Sequence, residues 1–597
     1  MPKSKNINIK YTSREFSSIK QDLVDYAKRY YPDSYKDFTN ASFGSMVLDT
    51  VAYVGDVLSY YVDYSVNESF LDTAIEFDNV RKHARALGYN FSGNPTSYGT
   101  ITTYILCPSN AEGTAPDLLY LPTIKKGAVF TGGGVNFTLT EDISFDNDDN
   151  EFVAARFDST TGATTFFAIR ANGVINSGVI FSVDVQVDST FERFKRIRVG
   201  TNDITEITNV FDSEGNKYYE VDNLSQEVVF VDTTNPTAKT DGVRSILKPF
   251  VATRRFVVQR DDTGTYLQFG FGSEDEDASG LTDPAKIALQ LHGKKTIAET
   301  SFDPTKLIST NKLGISPSNT ILSIFFTSNA EVGSSVASNT ITSVSETELM
   351  FQSEDELDQA KKDIVLSSLE ITNDDPISSV NSDMTIEELK QRAIASYASQ
   401  NRAVTKQDYE SLCYNMPSQF GALRRVNAVN DPSATNRRLA LYVVAENSEG
   451  HLAVANDVVK NNLRNWLTGY KMLNDVVDIM DAKIINFSVD FVAQVDKRYD
   501  MDSVLSECIE DLTDYFSEVS YIGEPIYLTR IYQRLNDIDG VIDVKDVTLD
   551  CLTGGIYSSS SLYFPNALSR DGTYIQIPKN AIAELKFPNT DIKGTVK

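Results

Sequence analysis

SFGSMVLDTVAYVGDVLSYYVDYSVNESFLDTAIEFDNVRKHARALGYN, residues 42–90, decides how the rest of this chain is read. Val47, Val51, Val54, Leu58 and Tyr61 recur at steps of four, three, four and three, which stacks them on one helical face. Met46, Tyr53, Val57, Tyr60 and Tyr64 form a second apolar row round the same cylinder. With Ser42 as N-cap and the period holding to about Phe70, the helix is expected to be roughly 40 Å long. A helix apolar on two sides needs neighbours on two sides. Ala52, Gly55 and Ser59 keep part of it thin, so that another helix can come close. Thr73 and Glu76 stand at capping-box spacing before a second helix, which carries Phe77, Val80, Ala84 and Leu87 inward and stops at Gly88. Two readings stay open: a helical hairpin burying its own core, and a helix that bundles with other subunits.

Outward from this stretch, length and composition set bounds. A chain of 597 residues is expected to hold several domains. An apolar content of 41 % with 10 % aromatics is that of a folded protein. A formal charge of −28 repels phosphate backbones and argues against nucleic acid as the principal ligand. Cys107, Cys413, Cys508 and Cys551 are too far apart for a disulfide framework or a metal knuckle, which fits a reduced cytosolic setting during assembly. No apolar run reaches the ~18 residues of a membrane span, and MPKSKNINIKYTSREF lacks the apolar segment of a signal peptide. Neither a membrane nor ordinary secretion is therefore expected.

Before the central stretch, Thr12 and Glu15 open a first helix that Pro32 ends, with Phe16, Ile19, Leu23, Tyr26 and Tyr30 as its stripe. After Asn94-Pro95 the period changes to two. Short β-branched runs separated by Gly, Asn, Asp and Ser predict antiparallel β structure to about residue 300. EGNKYYEVDN with QEVVFVD reads as one hairpin or meander, and RRFVVQRDDTGTYLQFGFG, turning at Thr263-Gly264, as another. From Thr385, paired with Glu388, and from Thr405, paired with Asp408, capping boxes open helices, and strands and helices then alternate. GTYIQIPKN and AIAELKF read as a hairpin in the tail. The expected class is α+β multidomain: a helical bundle-forming region at 1–95, an antiparallel β-rich domain at 96–300, a connecting region at 301–383, α+β modules at 384–480 and 481–555, and a tail at 556–597.

No pattern proposes a catalytic, cofactor or metal site. His83, His292 and His451 have no histidine or cysteine neighbours at ligand spacing. Asp275, Asp277, Ser279 and Gly280 match the opening of a calcium loop, but Lys286 holds the position that requires a bidentate Glu. FGFG at 269–272 has Asp275 where a dinucleotide loop needs its third Gly, and TGGGV at 131–135 lacks the Lys-Ser/Thr of a P-loop. FERFKRIRVG at 191–200 is a basic-aromatic cluster, read as a solvated strand or a dock for an acidic partner. Cys413 has no partner base and reads as a buried structural thiol.

With these blocks in place, four stretches resemble the baseplate J-like family of contractile-tailed phages, and its wedge subunits in particular. They are the helical block ending in Arg81-Lys82-His83-Ala84-Arg85-Ala86-Leu87-Gly88-Tyr89, then LQFGFGSEDEDASG at 267–280, NRAVTKQDYESLCYNM at 401–416 and IGEPIYLTRIYQRLNDIDGVIDV at 522–544. The resemblance implies a non-enzymatic structural protein of the virion tail baseplate. Such subunits form an inner ring, two copies per wedge in a sixfold plate, and their helices bundle with a second wedge protein. The ring switches shape and releases sheath contraction. It also implies that Val47, Val51, Val54, Leu58, Tyr61, Met46, Tyr53 and Val57 lie at a bundle interface. A tail fibre or adhesin, or a cell-wall glycan hydrolase with two carboxylates ~5–10 Å apart, are the rival expectations.

Overall fold

The computed structural model describes residues 15–30, 42–89, 95–272 and 313–597, apart from breaks at 111, 148–149, 160–161, 202, 236–244, 262, 330–334, 352, 354–356, 379–383, 431–437 and 448. The calcium-loop candidate, His292 and Thr12 fall outside the described residues. The chain divides into two compact units, Met1–Asn90 with Met384–Tyr397, and Phe91–Asp383 with Ala398–Lys597.

The first unit is helical. It contains α1 (Phe16–Tyr30), α2 (Phe43–Glu68) and α3 (Phe77–Ala86), and most of a returning helix, Ile386–Ser399. Among its described residues the buried apolar ones are few: Ala52, Ala74, Val80, Ala84, Tyr89, Leu389 and Ala393. Phe77 and Leu87, expected to point inward with Val80 and Ala84, are half-buried. The returning helix is tied in by polar groups. Lys390 Nζ donates to the Asp72 carbonyl at 3.3 Å, and buried Tyr89 is hydrogen-bonded to Arg392.

In the second unit the period-two runs become strands. One sheet has seven strands, in the order Ile341–Glu346, Val129–Gly132, Val135–Leu139, Thr164–Ser177, Tyr98–Pro108 and Glu370–Thr372, with Glu151–Phe157 also on Thr164–Ser177. Every pair in it is antiparallel. Ile101, Ile105, Phe130, Phe137 and Ile175 fill its core. A second seven-stranded sheet runs Val179–Val187, Thr320–Ser328, Ile204–Phe211, Lys217–Glu220, Arg255–Asp261, Gly264–Phe269 and Arg196–Gly200. The chain passes from the first sheet to the second at Gly178, whose φ of 115° suits only glycine. A Cβ there would also lie 2.6 Å from Thr327 Cγ2.

The hairpin turning at Thr263-Gly264 forms as expected, Arg255–Asp261 with Gly264–Phe269. The hairpin or meander expected of EGNKYYEVDN with QEVVFVD does not. Lys217–Glu220 pairs antiparallel with Ile204–Phe211 and parallel with Arg255–Asp261, while Val228–Thr234 pairs with Ser245–Val251 in a separate ribbon. Both runs alternate equally well, so period alone did not specify the partner.

Towards the C-terminus the elements alternate. Arg425–Asn430, Arg438–Glu446, Leu452–Ala453 and Val476–Asp481 form a sheet, the last strand lying parallel to Arg438–Glu446 after the crossover helix Asp457–Thr468. The capping box at Thr405 and Asp408 is present and opens the helix Lys406–Tyr414. Next to it, Lys483–Val495 is the central strand of a sheet with Val541–Leu552, Ala581–Glu584 and Ile592–Val596. Val504, Cys508 and Leu512 of the helix Met501–Ser517, and Ile531 and Leu535 of Leu528–Asn536, bury into that core. The expected tail hairpin is not formed. Tyr574–Ile575 pairs with Ile526–Tyr527, and Ala581–Glu584 is taken up parallel by Lys483–Val495. The architecture is α+β and multidomain, with helices at the N-terminus and mainly antiparallel sheets after them.

Candidate assembly surface

α2 is 26 residues of unbroken helix, and Ser42 caps it by accepting from Ser45 N at 3.1 Å. At 1.5 Å per residue that is roughly 39 Å. Only Ser45, Ala52 and Glu68 are buried along it. The thin side, Ala52-Gly55-Ser59, is where α1 lies. A Cβ at Gly55 would sit 3.4 Å from two carbons of Ile19, and Lys20 Nζ pairs with Asp49 at 2.7 Å. Ile19 and Leu23 of α1 are half-buried, whereas Phe16, Tyr26 and Tyr30 of its expected stripe are exposed. Replacing Gly55 with Leu overfills this contact, at a cost of about 1–3 kcal/mol. The expected readout is faster proteolysis within 16–30 while the β-rich unit keeps its resistance.

The other two sides of α2 are bare. Val47, Val51, Val54, Leu58 and Tyr61 are all exposed, Leu58 by 58 %, as are Met46, Tyr53, Tyr60 and Tyr64. Val57 is half-buried. All eight candidate residues therefore lie on α2, and seven of them face outward. A contiguous apolar patch of this extent is uncommon on a protein that works alone. The helical-hairpin reading places these rows inside the unit's own core; among the described residues none of the eight is fully buried.

The corner after α2 is built differently from the expected capping box. Thr73 Oγ1 donates to the Asn67 carbonyl at 2.6 Å, and Glu76, the N-cap of α3, makes no side-chain cap. Glu68 serves instead. Its carboxylate accepts from Ile75 N at 2.8 Å, Glu76 N at 3.4 Å and Asn79 Nδ2 at 2.9 Å, and its carbonyl meets His83 Nε2 at 2.8 Å. A carboxylate in the last turn of a helix opposes the helix dipole, so such a residue signals another role. The Ile75 amide, then Asn79, hold its pKa below the ordinary value. A depressed folded-state pKa contributes stability above the unfolded value of about 4.3, lost as pH falls through the folded one. Amide exchange in α3 should therefore rise in acid below the usual carboxylate range, and Glu68→Gln should remove that pH dependence.

Burial raises the Cys413 thiol, and it lifts Cys107 to about 12 and Cys508 to about 11, which disfavours the nucleophilic thiolate. TGGGV is the tight turn between Val129–Gly132 and Val135–Leu139, with Gly133 and Gly134 at φ of 60° and 83°. In the basic-aromatic cluster Arg196 pairs with Asp261 at 2.9 Å and lies over Tyr266. A shallow hollow lined by Tyr563, Asn566, Arg570 and Tyr574, among others, offers no carboxylate among its lining residues. Among the described residues no group of three or more His, Cys, Asp or Glu is placed to hold a metal ion, and no helix is long and apolar enough to cross a membrane.

No curated protein matches the chain. Two cryo-EM structures are similar in part. An anti-feeding prophage baseplate shares 9 % identity over 96 % of this chain and 99 % of its own, with a TM-score of 0.27. A type VI secretion system TssK-TssF-TssG baseplate subcomplex shares 9 % over 73 % and 96 %, with a TM-score of 0.25. Such scores do not establish a common fold. The helical segment has a more specific match, to the family described as bacteriophage baseplate protein, N-terminal domain. Residues 15–86, from the start of α1 to the end of α3, match the model of that domain.

Proposed function

We propose that this chain is a non-enzymatic structural subunit of a contractile-tail baseplate wedge in the virion. It joins the inner ring by bundling α2 with helices of a second wedge protein and by self-association, two copies per wedge in a sixfold plate, and it passes on the switch that triggers sheath contraction. The region 1–95 is the bundle-forming part, and the α+β modules from 384 to 555 supply contacts between copies.

One observation carries the reading: two apolar rows on a 26-residue helix are exposed in this chain, within the segment that matches the baseplate domain. Hydrocarbon left in water over that length is stabilised by partners at about 25 cal/mol per Å² covered. A ring also needs heterologous contacts that close, and a switch needs elements with two packings of similar energy. A fibre or adhesin gives no role to such a helix. Imaging the purified chain alone and mixed with the other tail proteins of its phage tests the proposal. Discrete wedges or closed rings in the mixture are expected. A monomer that joins no tail protein would overturn it.

A further inference from the structure

Glu151–Phe157, with the sequence EFVAARF, lies at an edge of the first sheet. Among the described residues it pairs with Thr164–Ser177 alone, and no strand bonds to its outer edge. Phe152, Val153 and Phe157 are exposed by 51 %, 69 % and 61 %. The strand has no Pro or Gly, and its only charges are Glu151 and Arg156. Such an edge is a template for a further strand. Ala154 opposes Phe167 and Arg156 opposes Phe166, so Ala155 is an extra residue, a β-bulge. The bulge decides which residues share a face. Glu151, Val153 and Arg156 stand opposite Arg170, Ala168 and Phe166 and lie together on one face. Phe152 and Ala154 stand opposite Ile169 and Phe167 on the other. In an unbroken strand Glu151 and Arg156, five positions apart, would lie on opposite faces.

Resting on the self-association in the proposed role, we infer that this edge takes a second copy of this chain, strand against strand and antiparallel, about a two-fold axis between the two Val153 residues. Directly opposed residues of antiparallel strands share a face. The strand meets that condition against itself. Val153 opposes Val153, Phe152 opposes the small Ala154, and Glu151 opposes Arg156 at both ends. Large meets small and acid meets base, the cross-strand pairs that stabilise a sheet. An in-register parallel pairing would set glutamate beside glutamate and arginine beside arginine. Charges of one sign along an edge keep copies apart. Here the two signs sit at opposite ends of the strand, and they select one register instead of barring all. The contact is isologous and closes at two copies, the number per wedge in the proposed role. It makes one antiparallel sheet continuous across both chains.

The test is a charge exchange in the full chain, read by sedimentation equilibrium over a concentration series. Glu151→Arg sets arginine against arginine, and Arg156→Glu sets acid against acid. Each alone should weaken dimerisation about ten-fold. A mixture of the two variants should restore it, and so should Glu151→Arg/Arg156→Glu in one chain. Both positions are exposed, so the unfolding midpoint should not move. The rows of α2 are the same in every variant, so association through α2 would not follow this pattern. Val153→Cys should also link two copies by a disulfide on mild oxidation, because opposed residues of neighbouring strands lie close enough to be bridged. Equal dimerisation of all the variants would overturn the strand pairing while leaving self-association in place. A chain monomeric throughout would overturn the pairing, and the wider role would fall with it only if that chain also joins no tail protein. A cysteine at 153 that links to a different tail protein, and not to its own copy, would give the edge to a foreign strand and overturn the inference.

Discussion

Replacing Leu58 with Asp is expected to leave the isolated chain folded and to remove it from the assembled baseplate. In the single chain Leu58 is 58 % exposed, so the new carboxylate stays hydrated there and should shift stability by no more than about 0.5 kcal/mol. Under a partner helix the same carboxylate loses its water without gaining a cation. That costs several kcal/mol, on the order of 3–5, a loss of roughly one hundred- to several thousand-fold in affinity. The two readouts are the unfolding midpoint of the purified variant and its co-purification with the other tail proteins. An unchanged midpoint with lost co-purification is the expected pair. If the helix were packed inside its own subunit, the midpoint would fall as well. Val54→Asp, one turn earlier and also exposed, should behave the same way.

The second large effect lies in the C-terminal part and has the opposite signature. Arg424 Nε meets Glu446 at 2.7 Å, and both side chains are almost entirely buried, at 8 % and 1 % exposure. Glu446→Ala leaves a buried guanidinium without its counter-charge and should cost about 3–5 kcal/mol. The strand Arg425–Asn430, which follows Arg424, reaches the segments beside the last sheet. Arg425 Nη2 donates to the Val519 carbonyl at 2.7 Å, and Asn427 Nδ2 to the carbonyls of Ile522 and Lys579 at 3.2 and 2.8 Å. Denaturant unfolding should therefore show an early loss of this region in Glu446→Ala. Arg424→Leu/Glu446→Leu should recover part of it, because no unpaired charge remains. Unlike Leu58→Asp, this variant should lose stability before it is mixed with any partner.

Where one residue pattern dictates one geometry, the sequence was legible. The four-three spacing gave α2 to within two residues of its end, Ser42 gave its cap, and Ala52-Gly55-Ser59 gave the side that α1 approaches. Most strands followed from alternation. Partner choice did not, because Lys217–Glu220 and Ala581–Glu584 both bond to strands distant in sequence, which their own period cannot name. The corner at Glu68 was hidden for another reason. Its donors, the amides of Ile75 and Glu76, are backbone groups that leave no mark on the sequence. The sign that was present was an acid at the wrong end of a helix dipole. The returning helix Ile386–Ser399 was legible as a helix, but its place in the N-terminal unit rests on Lys390 and Arg392, which read as ordinary surface charges.

The central claim is that the bare rows of α2 are covered by other chains in the assembled particle. Cysteine placed at Val54 reports on this directly, since Cys107, Cys413 and Cys508 are buried and Cys551 is partly so. Its rate of labelling by a water-soluble maleimide should be fast in the isolated chain and fall to that of the buried thiols once the chain is assembled with its tail proteins. An assembled particle in which this cysteine reacts as fast as in the free chain would contradict the account.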